Sequence, residues 1–221
     1  RSVVTGFRQG ASTKSLPKAD QLKDNYLKPL SEYTDRLFHE TDIKGANSFT
    51  AVNLSEGPTD IFWANNANMA RGQTGKGVLL EFSAEGVEGQ INRSKPAWKA
   101  AFDNGEAEFL TKYRGRPGMR DNLISVTVEE GTFQSQGSYV RNDKRFRNPY
   151  AINFRRTIQN WPQTKNPDGS VTYTRPPDEI IGTPPPATAE EVAEGLGGLP
   201  GRTEVEIGGR RAVTGEPRVT G

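Results

Sequence analysis

Proline and glycine are distributed unevenly along the 221-residue chain, and this constrains its fold more than any other feature. Residues 161–221 contain 9 of the 15 prolines and 10 of the 24 glycines, with few aliphatic side chains. Such a segment cannot bury enough apolar surface to offset the entropy lost on ordering. We therefore expect a folded domain over residues 1–160 and a weakly ordered tail over 161–221. Within the tail, the sequence predicts a short helix capped by Thr188 and a hairpin over Thr203–Val213.

The overall composition excludes several classes of function. The chain has no cysteine, which rules out disulfides, thiolate catalysis and cysteine-bound zinc. Its single histidine, His39, cannot form a site that needs two imidazoles. The 29 basic and 27 acidic residues give a net charge of +2, which indicates no particular partner. No apolar run approaches the roughly 20 residues of a membrane span.

The spacing of apolar residues in the first 160 positions predicts short strands and helices in irregular order. Strict alternation predicts a strand over Asn122–Glu129, with Ile124, Val126 and Val128 facing inward and Ser125, Thr127 and Glu129 facing outward. Further strands are predicted over Arg36–His39, Ile61–Ala64, Val78–Ser83 and Glu108–Lys112, and helices over Ala19–Leu30, Ile43–Phe49, Asn68–Gln73 and from Ser94 onward. The lack of regular strand–helix alternation favours an α+β fold over a doubly wound sheet.

Three short segments carry side chains that are suited to chemistry. They are Leu37–Thr41 with the single histidine, the aromatics Phe62 and Trp63 followed by Ala70–Gly72, and the carboxylates Glu106 and Glu108. Each segment also has an ordinary structural explanation. These explanations are a surface histidine, aromatic residues of the core, and a solvated pair of carboxylates.

Taken in order, the three segments resemble the ADP-ribosyltransferase fold of bacterial toxins and poly(ADP-ribose) polymerases, in its diphtheria-toxin-like form. That family has a strand with Leu-aromatic-His-Gly-Thr, an aromatic strand followed by a small-residue helix, and a later strand with a catalytic glutamate. Residues 37–41, Leu-Phe-His-Glu-Thr, match the first block in four of five places, with Glu40 at the glycine position. The resemblance covers roughly residues 30–130 and implies a split β-sheet flanked by short helices.

The resemblance also implies NAD⁺ as substrate, no metal, and a role for each residue of these segments. Glu108 would stabilise the oxocarbenium-like ribose formed as the nicotinamide–ribose bond breaks, and Glu106 would contact the acceptor. His39 would bind a ribose hydroxyl, and Phe62 or Trp63 would stack on nicotinamide. Glu40 and Thr41 would complete the NAD⁺ contacts of the first block, and Arg71 would neutralise the pyrophosphate. We therefore expect His39, Glu108 and the two aromatics to line one cleft.

The function implied by the resemblance is mono-ADP-ribosylation of a macromolecular acceptor with release of nicotinamide. Two alternatives remain open: an NAD⁺ glycohydrolase, which uses the same site with water as acceptor, and a binding or structural domain without enzymatic activity. By analogy with the family, and because the chain begins at Arg1 and lacks cysteine, we expect a monomeric bacterial toxin or effector domain. It would be secreted or delivered into a target cell, act in the target cytoplasm, and have an immunity protein as a further partner.

Basic and aromatic residues are interleaved over Ser138–Arg156. The cations are Arg141, Lys144, Arg145, Arg147, Arg155 and Arg156, and the aromatics are Tyr139, Phe146, Tyr150 and Phe154. This pattern suits phosphate contact and base stacking, so RNA or DNA is a candidate acceptor or partner. The alternative, which we favour, is an amphipathic closing segment whose aromatics cover the sheet while its arginines stay in water.

Overall fold

The computed structural model describes residues 14–22, 26–50, 60–74, 76–112, 121–177, 187–193, 203–207 and 210–214. The strands are β1 (Lys28–Pro29), β2 (Arg36–Thr41), β3 (Asp60–Ala64), β4 (Val78–Ser83), β5 (Glu88–Ile91), β6 (Glu108–Lys112), β7 (Leu123–Val128), β8 (Ser138–Arg141), β9 (Lys144–Arg147), β10 (Gln163–Lys165), β11 (Val171–Thr174), β12 (Thr203–Ile207) and β13 (Arg210–Thr214). The helices are α1 (Ile43–Thr50), α2 (Ala67–Thr74), α3 (Trp98–Asp103), α4 (Thr132–Gln136), α5 (Pro149–Ile158) and α6 (Ala189–Ala193), with 3₁₀ turns at Ala19–Gln21 and Leu30–Glu32.

These elements form a mixed α+β fold around one nine-stranded antiparallel sheet. Its strand order is β1-β5-β6-β3-β2-β4-β7-β11-β10, while β8-β9 and β12-β13 form separate hairpins. The three strands that carry the candidate segments, β2, β3 and β6, are therefore direct neighbours in the sheet. The expected α+β class is confirmed.

The two faces of the sheet are packed to different degrees. One face, which we call the packed face, carries the large buried cluster that includes Leu37, Trp63 and Phe82 and is covered by helices α1 and α5. The other, which we call the open face, carries a small cluster of Phe38, Ala64 and Leu79 beneath α2. Side chains alternate between these faces along every strand, so neighbours in sequence lie in different environments.

The sheet opens between β2 and β3. Strand β2 pairs with β4 along its whole length, but its pairing with β3 is registered only at Phe38 and Ala64. Beyond that pair, residues 39–41 have registered partners on β4 alone among the described strands. We call this place the β2–β3 opening. It lies directly beside the single histidine.

The helix predicted over Ala19–Leu30 is wrong. A 3₁₀ turn ends at Gln21, and the chain returns as the short strand β1, which pairs with β5. Pro29 explains the difference, because proline lacks a backbone N–H and holds the preceding residue in an extended conformation. Tyr26 and Leu27 are exposed, whereas Ala19 and Leu30 are buried in the core and Leu22 packs against it.

Two other elements form where expected but differ in detail. Helix α3 begins at Trp98 rather than at Ser94, and it has no side-chain N-cap. In β7, Leu123 packs into the core instead of Ile124, because the β4–β7 register shifts between Glu81 and Phe82. Ser125 and Thr127 are buried rather than exposed, since β11 and the side chain of Glu81 cover that side. Val126 and Val128 face inward as predicted.

Part of the predicted weakly ordered tail belongs to the sheet. Strand β11 pairs with β7 over four residues, β10 pairs with β11, and Trp161 is buried in the large core cluster. The expected boundary at residue 160 therefore falls before two strands of the sheet. Composition failed here because a single tryptophan and one ladder of backbone hydrogen bonds suffice to attach a polar segment to an existing sheet.

The other two tail elements form as predicted. Thr188 and Glu191 make the expected reciprocal capping box: the Thr188 N–H donates to the Glu191 carboxylate, and the Glu191 N–H donates to the Thr188 hydroxyl. Val192 of this helix is buried against Phe146. Strands β12 and β13 form the predicted hairpin. Residues 178–186, 194–202, 208–209 and 215–221 of the tail lie outside the described residues.

Candidate functional site

The candidate catalytic carboxylate is placed by the end of helix α3. Gly105 has a positive φ of 85°, and its N–H donates to the Phe102 carbonyl at 3.0 Å. The Glu106 N–H donates to the Ala101 carbonyl at 2.9 Å, which completes a Schellman motif. Glycine suits this position because other residues are strained there. The chain leaves the helix and enters β6 at Glu108.

Asn65 fixes the same turn from the neighbouring strand. Its side-chain oxygen accepts the Ala107 N–H at 3.0 Å, and its amide nitrogen donates to the Gly105 carbonyl at 2.8 Å. The Asn65 backbone N–H also donates to the Ala107 carbonyl. Asn65 is buried, so these bonds form away from water, where their loss is costly. The turn before Glu108 is therefore held on both sides.

Glu108 lies at the first position of β6, 8% exposed, with both carboxylate oxygens engaged. Asn92 donates its side-chain amide to one oxygen, and the Lys95 ammonium lies 2.6 Å from the other. Asn92 is itself oriented by Ser94, whose N–H and hydroxyl donate to the Asn92 oxygen at 3.1 and 2.7 Å. A buried carboxylate with this many donors is well suited to hold a negative charge at one place.

The two candidate aromatics face opposite sides of the sheet. Phe62 shares the open face with Glu108, because Ala64 pairs with Glu108 and Phe62 pairs with Leu110. This register makes Phe62 the diagonal neighbour of Glu108, roughly 7–8 Å away along the sheet. Phe62 is 48% exposed, whereas Trp63 is 1% exposed and donates its indole N–H to Thr111 at 2.8 Å. The expected aromatic pair therefore reduces to Phe62, since Trp63 has no free ring face.

His39 lies at the β2–β3 opening, where its Nδ1 is 2.9 Å from the Phe62 carbonyl oxygen. A carbonyl oxygen only accepts, so Nδ1 carries the proton and the neutral ring keeps a lone pair on Nε2. The imidazole also packs against the rings of Phe49 and Trp63. Burial among these rings lowers the His39 pKa, although the bond to Phe62 acts in the opposite direction. The neutral form is favoured.

The register does not place His39 and Glu108 on one face. His39 pairs with Leu80, a residue of the packed face, while Glu108 pairs with Ala64 on the open face. The expectation that all four residues line one cleft therefore fails for His39 as well as for Trp63, because both rings lie on the packed face. His39 is connected to the Glu108 side only through its bond to the Phe62 backbone at the opening.

The other two residues of the first block are buried at the end of β2. The Glu40 carboxylate accepts the Lys76 N–H at 3.1 Å, so this side chain supports the turn before β4. Thr41 packs so closely against Gly45 that a side chain on Gly45 would collide with its hydroxyl. Both side chains therefore support the local structure, and only the backbone of these two residues borders the β2–β3 opening.

The structure places Glu106 and Arg71 differently relative to Glu108. Glu106 is exposed in the turn just before β6, two residues from Glu108, with the buried Ala107 between them. Arg71, near the end of α2, forms an ion pair with Asp168 at 3.4 Å. That pair borders a groove of about 540 Å³ between α2 and β10–β11, on the side of α2 away from β6. Glu106 thus lies in the turn that leads to Glu108, whereas Arg71 borders a separate groove.

The sequence interpretation missed three polar residues of this site. Asn65 and Asn92 were given no role, and Lys95 was read only as part of a helix start. The available signal was the Asn-Arg-Ser-Lys-Pro segment at 92–96, a composition typical of turns, in which Asn and Ser bond to nearby groups. Only the sheet order reveals that this turn packs against the carboxylate of β6.

Comparison with models of known protein families, with curated proteins and with solved structures finds no match to this chain. Within the described ranges, no three His, Asp or Glu side chains come together as a possible metal site. None of the helices described here is long and apolar enough to cross a lipid bilayer. The geometry around Glu108 is therefore the main support for any assignment of function.

Proposed function

We propose that this protein is an NAD⁺-dependent ADP-ribosyltransferase in which Glu108 stabilises the transition state. The observation that carries the proposal is the Glu108 site itself: a buried carboxylate held by Asn92 and Lys95, diagonal to the exposed ring of Phe62. A merely solvated carboxylate would not have this support. The segment resemblance implies the chemistry, and the geometry around Glu108 supports this residue as the one that performs it.

The reaction places clear demands on this carboxylate. As the bond between nicotinamide and the ribose anomeric carbon breaks, its electron pair goes to the nicotinamide ring nitrogen, and positive charge develops on the ribose. A fixed carboxylate beside that ribose stabilises the charge without reorganising. Phe62 supplies a ring face on which the cationic nicotinamide can stack before cleavage. The acceptor then attacks the anomeric carbon and gives up its proton.

Lys95 has a specific place in this scheme. Its ammonium contacts Glu108 in the free protein, but its side chain is more than half exposed. NAD⁺ binding would therefore replace one cation by another, the developing oxocarbenium ion, as Lys95 turns toward water. Asn92 is the partner that stays, because its amide is held by Ser94.

In this proposal, His39 borders the NAD⁺ site only from the β2–β3 opening, because its side chain lies on the packed face of the sheet. Its Nε2 lone pair is suited to accept a hydrogen bond from a ribose hydroxyl, because Nδ1 is already committed to the Phe62 carbonyl. This role is positioning rather than proton transfer.

The position of Glu106 supports a macromolecular acceptor. The carboxylate is exposed at the rim, next to the turn that delivers Glu108, where an incoming side chain or nucleotide can reach it. A carboxylate there can orient the acceptor and take its proton. By family analogy, we propose the same biological setting as above, a toxin or effector domain delivered into a target cell.

The decisive experiment measures nicotinamide release from NAD⁺ by the purified chain and its Glu108→Gln variant. We expect turnover to fall by roughly 10²-fold or more, because the variant loses the charge that stabilises the transition state. Glu85→Gln, which alters an exposed carboxylate in the β4–β5 turn, is the matched control and should retain full activity. Turnover unchanged by Glu108→Gln, at an unchanged Tm, would refute the proposed site.

A second variant separates transfer from hydrolysis. Glu106→Gln should lower the transfer of labelled ADP-ribose to lysate protein or nucleic acid more than it lowers nicotinamide release. If the natural chain consumes NAD⁺ but labels nothing, the activity is NAD⁺ glycohydrolysis. If the chain neither consumes NAD⁺ nor binds it, the protein is a binding domain.

A further inference from the structure

A basic groove lies on the outer surface of the helical layer. It has a volume of about 520 Å³ and receives Arg145 and Arg147 from β9 and Arg155 and Arg156 from the last turn of α5. The side chains of Phe133 and Ile152 form apolar parts of its wall. The groove thus brings four guanidinium groups together around a space large enough for a ligand.

Local structure explains why these arginines converge. Along β9, Phe146 is buried against α6 while its neighbours Arg145 and Arg147 stay exposed, and all three residues line the groove. Along α5, Phe154 and Ile158 enter the core of the sheet, so Arg155 and Arg156 lie on the outer part of the helix. The apolar residues of the segment thus cover the core, as the favoured interpretation predicted, and this same burial assembles the arginines.

Acidic residues lie next to some of these cations. Arg156 forms an ion pair with Glu191 of α6, and Asp143 lies in the turn of the β8–β9 hairpin. The guanidinium group of Arg155 lies 4.5 Å from the centroid of the Phe133 ring, which places the cation over an aromatic face. Arg141 and Lys144 add two exposed cations at the tip of the hairpin.

We propose that this groove binds single-stranded nucleic acid through its phosphates. Guanidinium groups bind phosphate oxygens in a bidentate manner and also stack on bases, and both contacts tolerate any sequence. Nucleic-acid interfaces are polar and strongly basic, and four arginines around one groove fit that description. The exposed wall of the groove is about equally polar and apolar, so its guanidinium groups can contact phosphates while its apolar side chains contact bases.

The groove is separate from the Glu108 site. Helix α5 covers the packed face of the sheet, and the groove lies on the outer side of that helix, while Glu108 and Phe62 lie on the open face. Binding here does not depend on the proposed transferase activity. It would bring a nucleic acid to the protein whether that strand is an acceptor or an anchor.

The test is fluorescence anisotropy of the full chain with labelled oligo(dT) and oligo(U) strands of about 12 nucleotides. We expect a Kd in the range of about 10⁻⁴–10⁻⁶ M that weakens with salt. In Arg145→Gln/Arg147→Gln, affinity should fall about tenfold or more, and the slope of log K against log salt should become shallower by about 1.4. Lys18→Gln/Lys28→Gln removes two exposed charges elsewhere and should leave both quantities unchanged.

Three outcomes would overturn the inference. They are no binding at about 100 μM protein, equal losses in the groove variant and the lysine control, and displacement of the strand by poly-glutamate at equal charge concentration. The last result would show a surface for acidic proteins. Nicotinamide release should be unaffected by the groove variant, so failure here and failure of the transferase proposal are distinguishable. Far-UV circular dichroism and Tm verify that the groove variant is folded.

Discussion

Phe62 and Trp63 are adjacent on β3, yet they face the two different sides of the sheet. On the packed face, Trp63 is enclosed by Phe49 and Phe82, and its indole N–H is satisfied by Thr111. On the open face, Phe62 is half exposed beside Glu108. The comparison shows that residue type alone does not separate a core aromatic from a candidate ligand-binding one. The face of the sheet on which a ring lies determines whether the ring is buried in the core or exposed to a ligand.

The same contrast applies to polar residues. On the packed face, the buried indole N–H of Trp63 is satisfied by Thr111. On the open face, Asn92, Lys95 and Glu108 form a connected group that ends at solvent through Lys95. The packed face holds most of the core, and the open face carries the polar groups of the proposed site.

The largest effect should follow from removing the residues of the tail that complete the sheet. Truncation after Asn160 deletes the buried Trp161 and the β11 strand that pairs with β7. Loss of one buried tryptophan alone costs about 3–5 kcal/mol, a large part of the about 5–15 kcal/mol that stabilises a typical domain. We expect no cooperative thermal transition above room temperature. Truncation after Pro177 keeps both strands and should remain folded; equal behaviour of the two truncations would contradict this assignment.

The next effect compares the two aromatics of β3 directly. Trp63→Ala should lower the free energy of unfolding by about 3–5 kcal/mol through the cavity it creates. Phe62→Ala should change it by less than about 1 kcal/mol because the ring is half exposed, but should raise KM for NAD⁺. Urea unfolding and nicotinamide release measure the two quantities. If Phe62→Ala lowers the free energy of unfolding as much as Trp63→Ala does, the Phe62 ring is part of the core and the open face is as tightly packed as the packed face.

The smallest effect is a pH dependence at the boundary between the faces. Burial lowers the His39 pKa, so the unfolded chain binds a proton more readily than the folded one. Stability should be complete above the unfolded pKa of about 6.5 and decline as pH falls toward the lowered folded value. Thermal midpoints between about pH 7.5 and 5.5 measure this, and His39→Gln should flatten the profile. A midpoint that rises on acidification would reverse the assigned sign.

Much of the fold could be predicted from local pattern. Strands β2, β3, β4, β6 and β7 and helices α1, α2 and α6 have the apolar spacing or capping residues that specify them without help from distant parts of the chain. The predictions that failed depend on distant partners. Pro29 lies in an edge strand because that segment pairs with β5. Trp161 is ordered because its side chain is buried in the core.

The amino-acid sequence alone established which side chains could take part in chemistry: one histidine, no cysteine, and a pair of glutamates at the start of a strand. It also determined the capped turns, because Schellman motifs and capping boxes need only a few neighbouring residues. Tertiary structure decided which of those residues meet. Pairing of β6 with β3 put Glu108 beside Phe62, and the β5–α3 turn brought Asn92 and Lys95 to its carboxylate. The physical reason is that strand order and register depend on the burial of whole faces, and local sequence cannot encode either alone.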